Sequence, residues 1–381
     1  MFQVSFVQFI DDVTPEQWAA LQTAENPFVD YRYLQALEES QSVGNGTGWQ
    51  VHHLLLHDEG GALVGAVPCY LKQHSYGEYV FDWGWADAYR RAGIAYYPKM
   101  VCAVPFTPAT GGRLLTVSGS DEQVGKICRL LAEALIEEAR RLNASSVHCL
   151  FLPEREVTVL TDEGWLPRHD LQFHWSNQGY EQFADFLASF SSKKRKNVNR
   201  ERRRVREAGV EMEVLTGDEL TAEHWRLFYQ LYRFTAYKRG GTAYLTEKFF
   251  ELIAEHMADS VVMVMAREND RYVAAALNFR GGDTLYGRYW GCLTEYDSLH
   301  FETCYYRAIE YCIAEGIARY EAGAQGEHKL SRGFLPTTTH SAHWLAHPQF
   351  ADAVADYLDD EREQIAGYQE MLQAHTPFRR S

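Results

Sequence analysis

Segments in which apolar and polar residues alternate recur in both halves of the chain, and this alternation is typical of half-buried β-strands. In the first half, two such segments flank a turn at residues 58–61 and predict a hairpin over Val51–His57 and Ala62–Leu71. A third strand is predicted at Tyr79–Trp83. In the second half, alternation predicts three successive strands, over Val261–Ala266, Tyr272–Phe279 and Thr284–Trp290.

Helical periodicity follows the predicted strands in each half. Apolar residues three and four positions apart predict a helix over Asp121–Leu142, with Ser120 as its N-cap. In the second half, a helix is predicted over His300–Glu315, with Asp297 as its N-cap. An amphipathic helix is predicted to occupy about the last 30 residues. Short strands are predicted after the two internal helices, at Ser146–Leu152 and Ala318–Ala322.

Four short motifs recur in the same order in the two halves. The pairs are Thr14-x-Glu16-x-Trp18 with Thr221-x-Glu223-x-Trp225, Leu63-Val64-Gly65-Ala66 with Tyr272-Val273-Ala274-Ala275, Trp83-Gly84 with Trp290-Gly291, and Gly164-Trp165-Leu166-Pro167 with Gly333-Phe334-Leu335-Pro336. The shared order predicts an internal repeat in which Trp18 is equivalent to Trp225 and Trp83 to Trp290. The first half would then carry about 38 additional residues, mostly between residues 85 and 119.

Charge is distributed unevenly along the chain. The 381 residues carry a formal net charge of −15, which argues against a protein that coats nucleic acid. Residues 193–206 nevertheless form a predicted helix with nine Lys or Arg and one Glu. This helix could be a solvated surface helix, could dock on the acidic C-terminal helix, or could bind a polyanion such as tRNA, CoA or a diphosphate-linked precursor.

We favour the polyanion, because acidic partners that would pair with the helix from within are almost absent. The predicted anion-binding residues are Lys193, Lys196, Arg200 and Arg203.

Other sequence features exclude several classes of protein. The seven cysteines are odd in number and form no CxxC pair, which argues against a disulfide framework or a zinc ribbon. No signal peptide and no apolar run of about 18 residues are recognised, so we expect a cytoplasmic protein without a membrane span. His340, His343 and His347 have a spacing that suits a metal site on a helix, but the residues around them favour a strand or loop. We therefore predict no metal.

The order hairpin, strand, helix, strand is that of the GNAT acyltransferase core, and the chain is predicted to contain it twice. With a basic helix opening the second unit, the sequence resembles the FemAB-like family of peptidoglycan biosynthesis or recognition. The matching stretches are Asn26-Pro27-Phe28, Ser191-Ser192-Lys193-Lys194-Arg195-Lys196-Asn197, Tyr286-Gly287-Arg288-Tyr289-Trp290-Gly291, Leu299-His300-Phe301-Glu302 and Gly323-Ala324-Gln325-Gly326-Glu327-His328-Lys329. The resemblance implies a mixed α/β (α+β) fold with two tandem GNAT-like domains, 1–178 and 179–347, and a C-terminal helix and tail at 348–381.

The resemblance also implies transfer of an acyl or aminoacyl group to an amine. The donor would be acyl-CoA or aminoacyl-tRNA, and the acceptor a small molecule or a cell-wall precursor. Many CoA-dependent GNAT enzymes hold the donor pyrophosphate on a glycine-rich turn before the central helix. Residues 296–301 contain no glycine, and residues 110–120 match the turn poorly, so the donor stays open. The alternative is a non-catalytic FemAB-like module that binds a cell-wall precursor or tRNA.

Acyl transfer to an amine requires a base for the amine, stabilisation of the carbonyl oxygen and a proton for the leaving group. Glu327, His328 and Lys329 place a base, a second titratable group and a cation in one loop after a predicted strand. His300 and Glu302 lie in the first turn of a predicted helix. The alternatives are a solvated loop for the first three residues and a helix-dipole preference for Glu302. The predicted catalytic residues are Glu327, His328, His300 and Glu302.

Polar segments rich in aromatic residues supply the predicted substrate-binding residues. Alternation along the strand 286–291 places Tyr286, Arg288 and Trp290 on one face, which would suit an anion beside a stacking surface. The alternative is a strand whose polar face simply carries an arginine. In the first half, the segment 82–91 is too aromatic for an ordinary loop and too polar for a core. The predicted substrate-binding residues are Asp82, Trp83, Trp85, Arg288, Trp290 and Lys329.

Overall fold

The computed structural model describes residues 2–21, 25–238, 240–324 and 326–379, so Gln325 of the predicted catalytic loop lies outside the described residues. The strands are β1 (Gln3–Val7), β2 (Trp49–Val51), β3 (His53–His57), β4 (Leu63–Val67), β5 (Cys69–Lys72), β6 (Lys99–Cys102), β7 (Leu115–Thr116), β8 (Ser146–Leu152), β9 (Leu166–Ser176), β10 (Val210–Thr216), β11 (Val261–Glu268), β12 (Arg271–Gly281), β13 (Thr284–Cys292), β14 (Arg319–Glu321) and β15 (Leu335–Leu345).

The helices alternate with these strands along the chain. They are α1 (Pro15–Ala19), α2 (Tyr31–Glu39), α3 (Trp83–Arg91), α4 (Asp121–Arg141), α5 (Glu154–Asp162), α6 (Phe183–Ala188), α7 (Ser192–Glu207), α8 (Ala222–Lys238), α9 (Glu247–His256), α10 (Leu299–Phe301), α11 (Arg307–Ala314) and α12 (Pro348–Gln373). A π-helical segment, Glu302–Tyr306, joins α10 to α11, and a 3₁₀ segment covers Glu327–Arg332. The predicted mixed α/β (α+β) class is confirmed.

The density of contacts divides the chain into two compact units. Unit 1 consists of Met1–Asp170 and Thr338–Gly367, and unit 2 consists of Leu171–Thr337 and Tyr368–Ser381. The two long strands β9 and β15 each begin in one unit and end in the other. The predicted domain boundaries at 178 and 347 stay a prediction.

Unit 1 contains two groups of paired strands, β1-β3-β4-β7 and β2-β5-β6-β8-β15. Helix α4 buries Ile127, Leu131 and Leu135 in the core beside the buried strand β8. The side chain of Ser120 accepts a hydrogen bond from the backbone N–H of Gln123, whose side chain bonds back to Ser120. This capping box satisfies two otherwise unpaired N–H groups and confirms the predicted start of the helix.

Unit 2 contains the strand order β10-β11-β12-β13-β14-β9. Antiparallel pairing covers β10 to β13, and β9 closes the sheet against β14. The core between this sheet and the helices includes Leu285, Tyr306, Ile309 and Tyr320. β13 and β14 therefore each have a neighbouring strand on both sides, and the candidate site lies between them.

A parallel strand pair is present in each unit and identifies equivalent positions. β6 runs parallel to β8 at Met100–Cys102, and β13 runs parallel to β14 at Thr284–Tyr286. In each case a helical connection, α4 or α10 through α11, links the two strands. Parallel neighbours require such a crossover, so its repetition supports the predicted tandem GNAT-like arrangement.

Two motif pairs of the predicted repeat occupy equivalent places. Trp18 and Trp225 are both buried and are each the fourth residue of a helix that follows a threonine. Gly164 and Gly333 both have positive φ, and each is followed by a buried aromatic residue and then by the long strand β9 or β15. These pairs belong to corresponding elements, as the sequence predicts.

The predicted equivalence of Trp83 and Trp290 is wrong, because Trp83 begins helix α3 and Trp290 lies in strand β13. The strand predicted at Tyr79–Trp83 is absent from the described residues for the same reason. Unit 1 connects β5 to β6 through residues 73–98, which include α3, whereas β12 and β13 are joined by a tight turn. Part of the additional length therefore lies at residues 73–84, before the predicted interval of 85–119, and residues 85–98 lie within that interval.

Candidate active site

The candidate site lies where β13 and β14 separate. The parallel register ends at Tyr286 opposite Glu321, while β13 continues to Cys292. A Cβ atom at Gly287 would lie 2.7 Å from the hydroxyl oxygen of Tyr320, so glycine avoids a close contact where the strands diverge. Gly323 follows the end of β14 with a positive φ of 84° and turns the chain toward the 3₁₀ segment. Glycines at both positions therefore allow the two strands to separate here.

The π-helical segment brings side chains together that an α-helix would separate. Residues five apart in an α-helix lie about 140° apart around the axis, yet the rings of His300 and Tyr305 lie 5.3 Å apart. The wider π turn explains this proximity, and such turns are frequent at functional sites. The ring of His300 also lies 5.3 Å from that of Trp290 on β13. Helix and strand therefore contribute to one aromatic cluster.

His328 completes this cluster from the 3₁₀ segment. Its Nε2 atom lies 2.9 Å from the hydroxyl oxygen of Tyr305, within hydrogen-bond distance. Burial, followed by the charges of Arg332 and Lys329, lowers the pKa of His328 below its usual 6.5. A neutral imidazole bonded to a phenol can accept a proton and later return it, which suits general acid–base catalysis. We call this pair the His328–Tyr305 dyad.

Lys329 is buried, and its Nζ atom donates to the carbonyl oxygen of Gly323 at 2.6 Å. Burial lowers the pKa of this amine to about 8. The hydrogen bond ties the 3₁₀ segment back to the turn after β14, so Lys329 positions the loop that carries His328. A direct substrate contact by Lys329 stays a prediction.

The two predicted glutamates differ in environment. Glu327 is exposed and accepts a hydrogen bond from the hydroxyl of Tyr368. Glu302 is buried and accepts hydrogen bonds from Arg202 at 3.0 Å and 3.1 Å, with Arg307 a further 3.0 Å ion-pair partner. This carboxylate is surrounded by guanidinium groups, and its contacts fasten α7 to the π-helical segment. Catalytic roles for both glutamates stay predictions.

A β-bulge changes the faces of β13. Tyr289 pairs with Leu277 and Gly287 pairs with Asn278, which leaves Arg288 as the additional residue. The predicted common face for Tyr286, Arg288 and Trp290 is therefore wrong, because a bulge shifts the alternation by one residue. Arg288 instead lies over the ring of Tyr289 at 5.1 Å.

The basic helix α7 has a structural face and an exposed face. Val198, Arg202 and Val205 are buried, and Glu201 accepts a hydrogen bond from Arg332 at 2.8 Å. The predicted anion-binding residues are all exposed and follow one another at helical spacing: Lys193, Lys196, Arg200 and Arg203. We call these four residues the basic stripe. Arg203 of the stripe forms an exposed ion pair with Glu207 at 3.5 Å. Arginines of α7 outside the stripe pair with Asp297, Glu302 and Glu310.

Asp297 was predicted as a helix N-cap, but the helix begins after Ser298, which has a φ of 69° and makes no side-chain cap. Asp297 forms an ion pair with Arg204 at 2.7 Å instead. Asp297 therefore pairs with the basic helix α7 and does not cap α10, which the sequence pattern alone does not indicate.

The predicted substrate wall of unit 1 forms around α3. Asp82 is buried and accepts a hydrogen bond from the Tyr96 hydroxyl at 2.6 Å and from Lys99. Trp85 is buried, whereas Trp83 is 42% exposed at the start of the helix. The structure thus brings the three predicted residues to one helix start but exposes Trp83 to a greater extent than the other two.

Sequence reasoning missed Tyr305, Phe301 and Arg332. The guanidinium of Arg332 lies 3.3 Å from the ring centroid of Phe301 and donates to the carbonyl oxygen of His328 at 2.7 Å. A signal existed for Phe301, which belongs to the stretch used for the resemblance. Tyr305 gave no signal, because helical spacing places it away from His300.

The histidines at 340 and 343 lie on β15, as the strand alternative predicts. His343 Nδ1 lies 2.7 Å from His148 Nδ1, and burial lowers the pKa of both imidazoles well below 6.5. Within the described ranges, no group of three or more His, Cys, Asp or Glu side chains is arranged to hold a metal ion. None of the helices in the described part of the chain has the length and hydropathy needed to cross a membrane.

The sheet order and the crossover helices define a protein of tandem GNAT-like fold. The chain belongs to the FemAB-like family, whose model, described as peptidoglycan biosynthesis/recognition, matches residues 9–380. No curated protein matches the chain.

Solved structures support the same fold. The crystal structure of FemX is 12% identical, with a TM-score of 0.55 over 92% of this chain and 100% of that one. The C-terminal domain of a putative lysylphosphatidylglycerol synthetase from Agrobacterium fabrum is 10% identical, with a TM-score of 0.54 over 90% and 94%. A conserved protein of unknown function from Bacteroides thetaiotaomicron is 13% identical, with a TM-score of 0.51 over 90% and 99%. At these identities the likeness concerns the fold.

Proposed function

We propose that this protein transfers an acyl or aminoacyl group from an activated donor to an amine, with the reaction in unit 2. The observation that carries the proposal is the His328–Tyr305 dyad, 2.9 Å apart beside the diverging strands. Membership of a family described as peptidoglycan biosynthesis/recognition makes an amine of a cell-wall precursor the preferred acceptor.

The dyad accounts for the proton transfers of the reaction. An acceptor ammonium loses its proton to His328, either directly or through the Tyr305 hydroxyl, and the free amine attacks the donor carbonyl carbon. The tetrahedral oxyanion is stabilised by a nearby hydrogen-bond donor, for which the Tyr305 hydroxyl is a candidate. The imidazolium then returns its proton to the leaving oxygen or sulfur as the bond between that atom and the carbonyl carbon breaks and the carbonyl re-forms. The additional proton on the new amide nitrogen is released to solvent.

Aminoacyl-tRNA is the donor that the basic stripe favours. Its four cations span ten residues of α7, about 15 Å at the helical rise. A nucleic-acid backbone presents phosphates repeatedly along such a length, whereas CoA carries its phosphates at one end. A tRNA donor would agree with the expected cytoplasmic location.

The proposal is tested by incubating the protein with a cell-wall precursor that bears a free amine and with either aminoacyl-tRNA or acyl-CoA. Mass spectrometry of the acceptor should show one added aminoacyl group with the tRNA donor. Addition with acyl-CoA alone would retain the transferase and replace the donor. If neither donor modifies the acceptor, the transferase proposal fails.

A non-catalytic binding module is the second candidate. It is favoured by the glycine-free segment before α10, where Asp297 pairs with Arg204, since a negative charge there disfavours a donor pyrophosphate. Tight precursor binding without turnover in the same assay would select this candidate.

A further inference from the structure

Glu201 of the basic helix α7 is the one acidic residue of the segment 193–206. Its side chain is 18% exposed. One carboxylate oxygen accepts a hydrogen bond from Arg332 at 2.8 Å, and the other accepts a hydrogen bond from the hydroxyl of Tyr306. A single carboxylate of α7 therefore contacts both the 3₁₀ segment and the π-helical segment of the candidate site.

Both partners of Glu201 adjoin the His328–Tyr305 dyad. Arg332 donates to the carbonyl oxygen of His328 at 2.7 Å, and Tyr306 directly follows Tyr305 in the π-helical segment. Arg332 and Tyr306 are both buried, so the surrounding protein restricts their movement. Each member of the dyad is therefore linked to the same carboxylate through one intervening residue.

The charge of Glu201 also bears on the basicity of the dyad. In the described part of the chain, the titratable and charged groups that face the His328 ring are Tyr305, His300, Lys329 and Arg332. Arg332 lowers the pKa of His328 more than Lys329 does. A carboxylate paired with this guanidinium offsets part of its positive charge. Glu201 therefore keeps His328 more basic than an unpaired Arg332 would.

A purely structural role, in which Glu201 only fastens α7, is the alternative. Arg202 already fastens this helix to Glu302 at 3.0 Å and to Glu310 at 2.6 Å. Those glutamates lie in the π-helical segment and in α11, so they do not account for a bond to the 3₁₀ segment. The contact of Glu201 with Arg332 joins α7 to the segment that carries His328.

We propose that Glu201 is a positioning residue that fixes the His328–Tyr305 dyad relative to helix α7. It acts through Arg332 and Tyr306, and the inference rests on the transfer reaction proposed above. The basic stripe lies on the same helix, so a donor bound along the stripe meets the proton-transferring groups at a fixed distance. Placement of the reacting groups supplies a large part of enzymatic rate enhancement. The acid within the basic segment thus contributes to the chemical step and not to donor binding.

Glu201→Gln tests the proposal in single-turnover transfer, because it preserves the shape of the side chain and removes its charge. We expect the maximal rate constant to fall about tenfold, with the donor concentration for half-maximal rate within about twofold of the wild type. Glu251→Gln removes a 60%-exposed carboxylate of α9 and should leave both values unchanged.

The same substitution in a His328→Ala background separates positioning from a general loss of structure. A residue that acts through His328 should have little further effect once His328 is absent, because such effects are not additive. A structural defect would slow transfer equally in both backgrounds, and that result would overturn the proposal.

NMR titration of the His328 imidazole, assigned with His328→Ala, tests the link without turnover. In Glu201→Gln the pKa of His328 should fall by about 0.3 pH unit or more, whereas Glu201→Asp retains the charge and should stay closer to the wild type. An unchanged pKa in Glu201→Gln would overturn the positioning role even if transfer is observed. A lowered pKa in a protein that transfers nothing would defeat the proposed function and leave the link to Glu201 established.

Tyr306→Phe is the second variant if Glu201→Gln does not fold, since it keeps the buried ring and removes only the hydroxyl that donates to Glu201. It should slow transfer about threefold or more in the wild-type background and have little effect in His328→Ala. A wild-type rate in Tyr306→Phe would then overturn the proposal.

Discussion

At the scale of single residues, partial burial and two neighbouring cations lower the pKa of the His328 imidazole below its usual 6.5. A histidine pKa below 6.5 means that the free base is present at neutral pH. The hydrogen bond to Tyr305 orients the ring. Both properties suit a group that must accept a proton from an ammonium ion.

The pH dependence of transfer should report this histidine. With the pKa of His328 lowered, the acid limb of kcat/KM is expected below pH 6.5. Among the neighbouring positive charges, that of Arg332 lowers the pKa of His328 most. Arg332→Gln removes this charge, so the acid limb should move to higher pH. Steady-state kinetics between pH 5 and 8 would measure it. A limb that stays in place in Arg332→Gln would exclude His328 as the titrating base.

His174 provides a stability test in unit 2. Burial lowers the pKa of this imidazole from 6.5 to about 3. The unfolded chain then binds one additional proton between these values, so the free energy of unfolding should fall as pH decreases through this range. The slope is at most about 1.4 kcal/mol per pH unit. Urea unfolding of the wild type and of His174→Gln should show a smaller slope in the variant, and equal slopes would disprove the assignment.

Residue-level reasoning found some members of the site and missed others for a definite reason. His300, His328 and Trp290 are brought together as candidates, because titratable and aromatic residues stand out in a sequence. Tyr305 is missed, since the π turn that directs it toward His300 leaves no mark in the spacing. The bulge at Arg288 is invisible to alternation for a similar reason.

At the scale of elements, α7 joins a buried ionic anchor to the basic stripe. Arg202 binds Glu302 at 3.0 Å and Glu310 at 2.6 Å, while the stripe faces solvent. The helix is thus oriented by its own charges, and this explains why its sequence contains so few acidic residues.

The basic stripe should contribute to tRNA binding and not to the free energy of unfolding. Lys196→Glu/Arg200→Glu is expected to weaken tRNA binding and to reduce the slope of log K against log salt by about 2, one for each lost phosphate contact. Lys248→Glu/Arg226→Glu makes the same charge change on exposed residues of α8 and α9 and should have little effect. Filter binding at several salt concentrations would measure both variants. Equal salt slopes for the two would count against the stripe.

The anchor should behave in the opposite way. Arg202→Met leaves the buried Glu302 with fewer partners, and breaking a buried ion pair typically costs about 3 kcal/mol or more. Arg203→Met, one residue further along α7, lies on the exposed face and should change stability by less than about 0.5 kcal/mol. Urea unfolding compares the two directly, and similar stabilities would show that the anchor contributes nothing.

Helices and strands were predicted correctly where neighbouring residues determine them, and incorrectly within the insertion at residues 73–98. The N-cap Ser120 and the strand Ser146–Leu152 are confirmed, since both depend on nearby residues. The sequence predicts a strand at Tyr79–Trp83, whereas helix α3 begins at Trp83. Its helix is stabilised instead by the burial of Trp85 and Tyr89 against α12, which the local sequence does not reveal.

At the scale of the whole molecule, two units of related topology carry different surfaces. Unit 2 presents the dyad and the basic stripe, and unit 1 presents helix α3 with the exposed Trp83. The repeat accounts for the parallel pairs β6–β8 and β13–β14, whereas the insertion 73–98 distinguishes the units. The proposed transfer chemistry therefore lies in unit 2.

The central claim is that the His328–Tyr305 dyad transfers the protons. The most direct measurement is single-turnover transfer from a labelled aminoacyl-tRNA to an amine-bearing precursor by wild type, His328→Ala and the control His256→Ala. We expect His328→Ala to be slowed about 100-fold or more, with its melting temperature within a few degrees of the wild type, and His256→Ala to be unchanged. A His328→Ala variant that transfers at the wild-type rate would contradict the account.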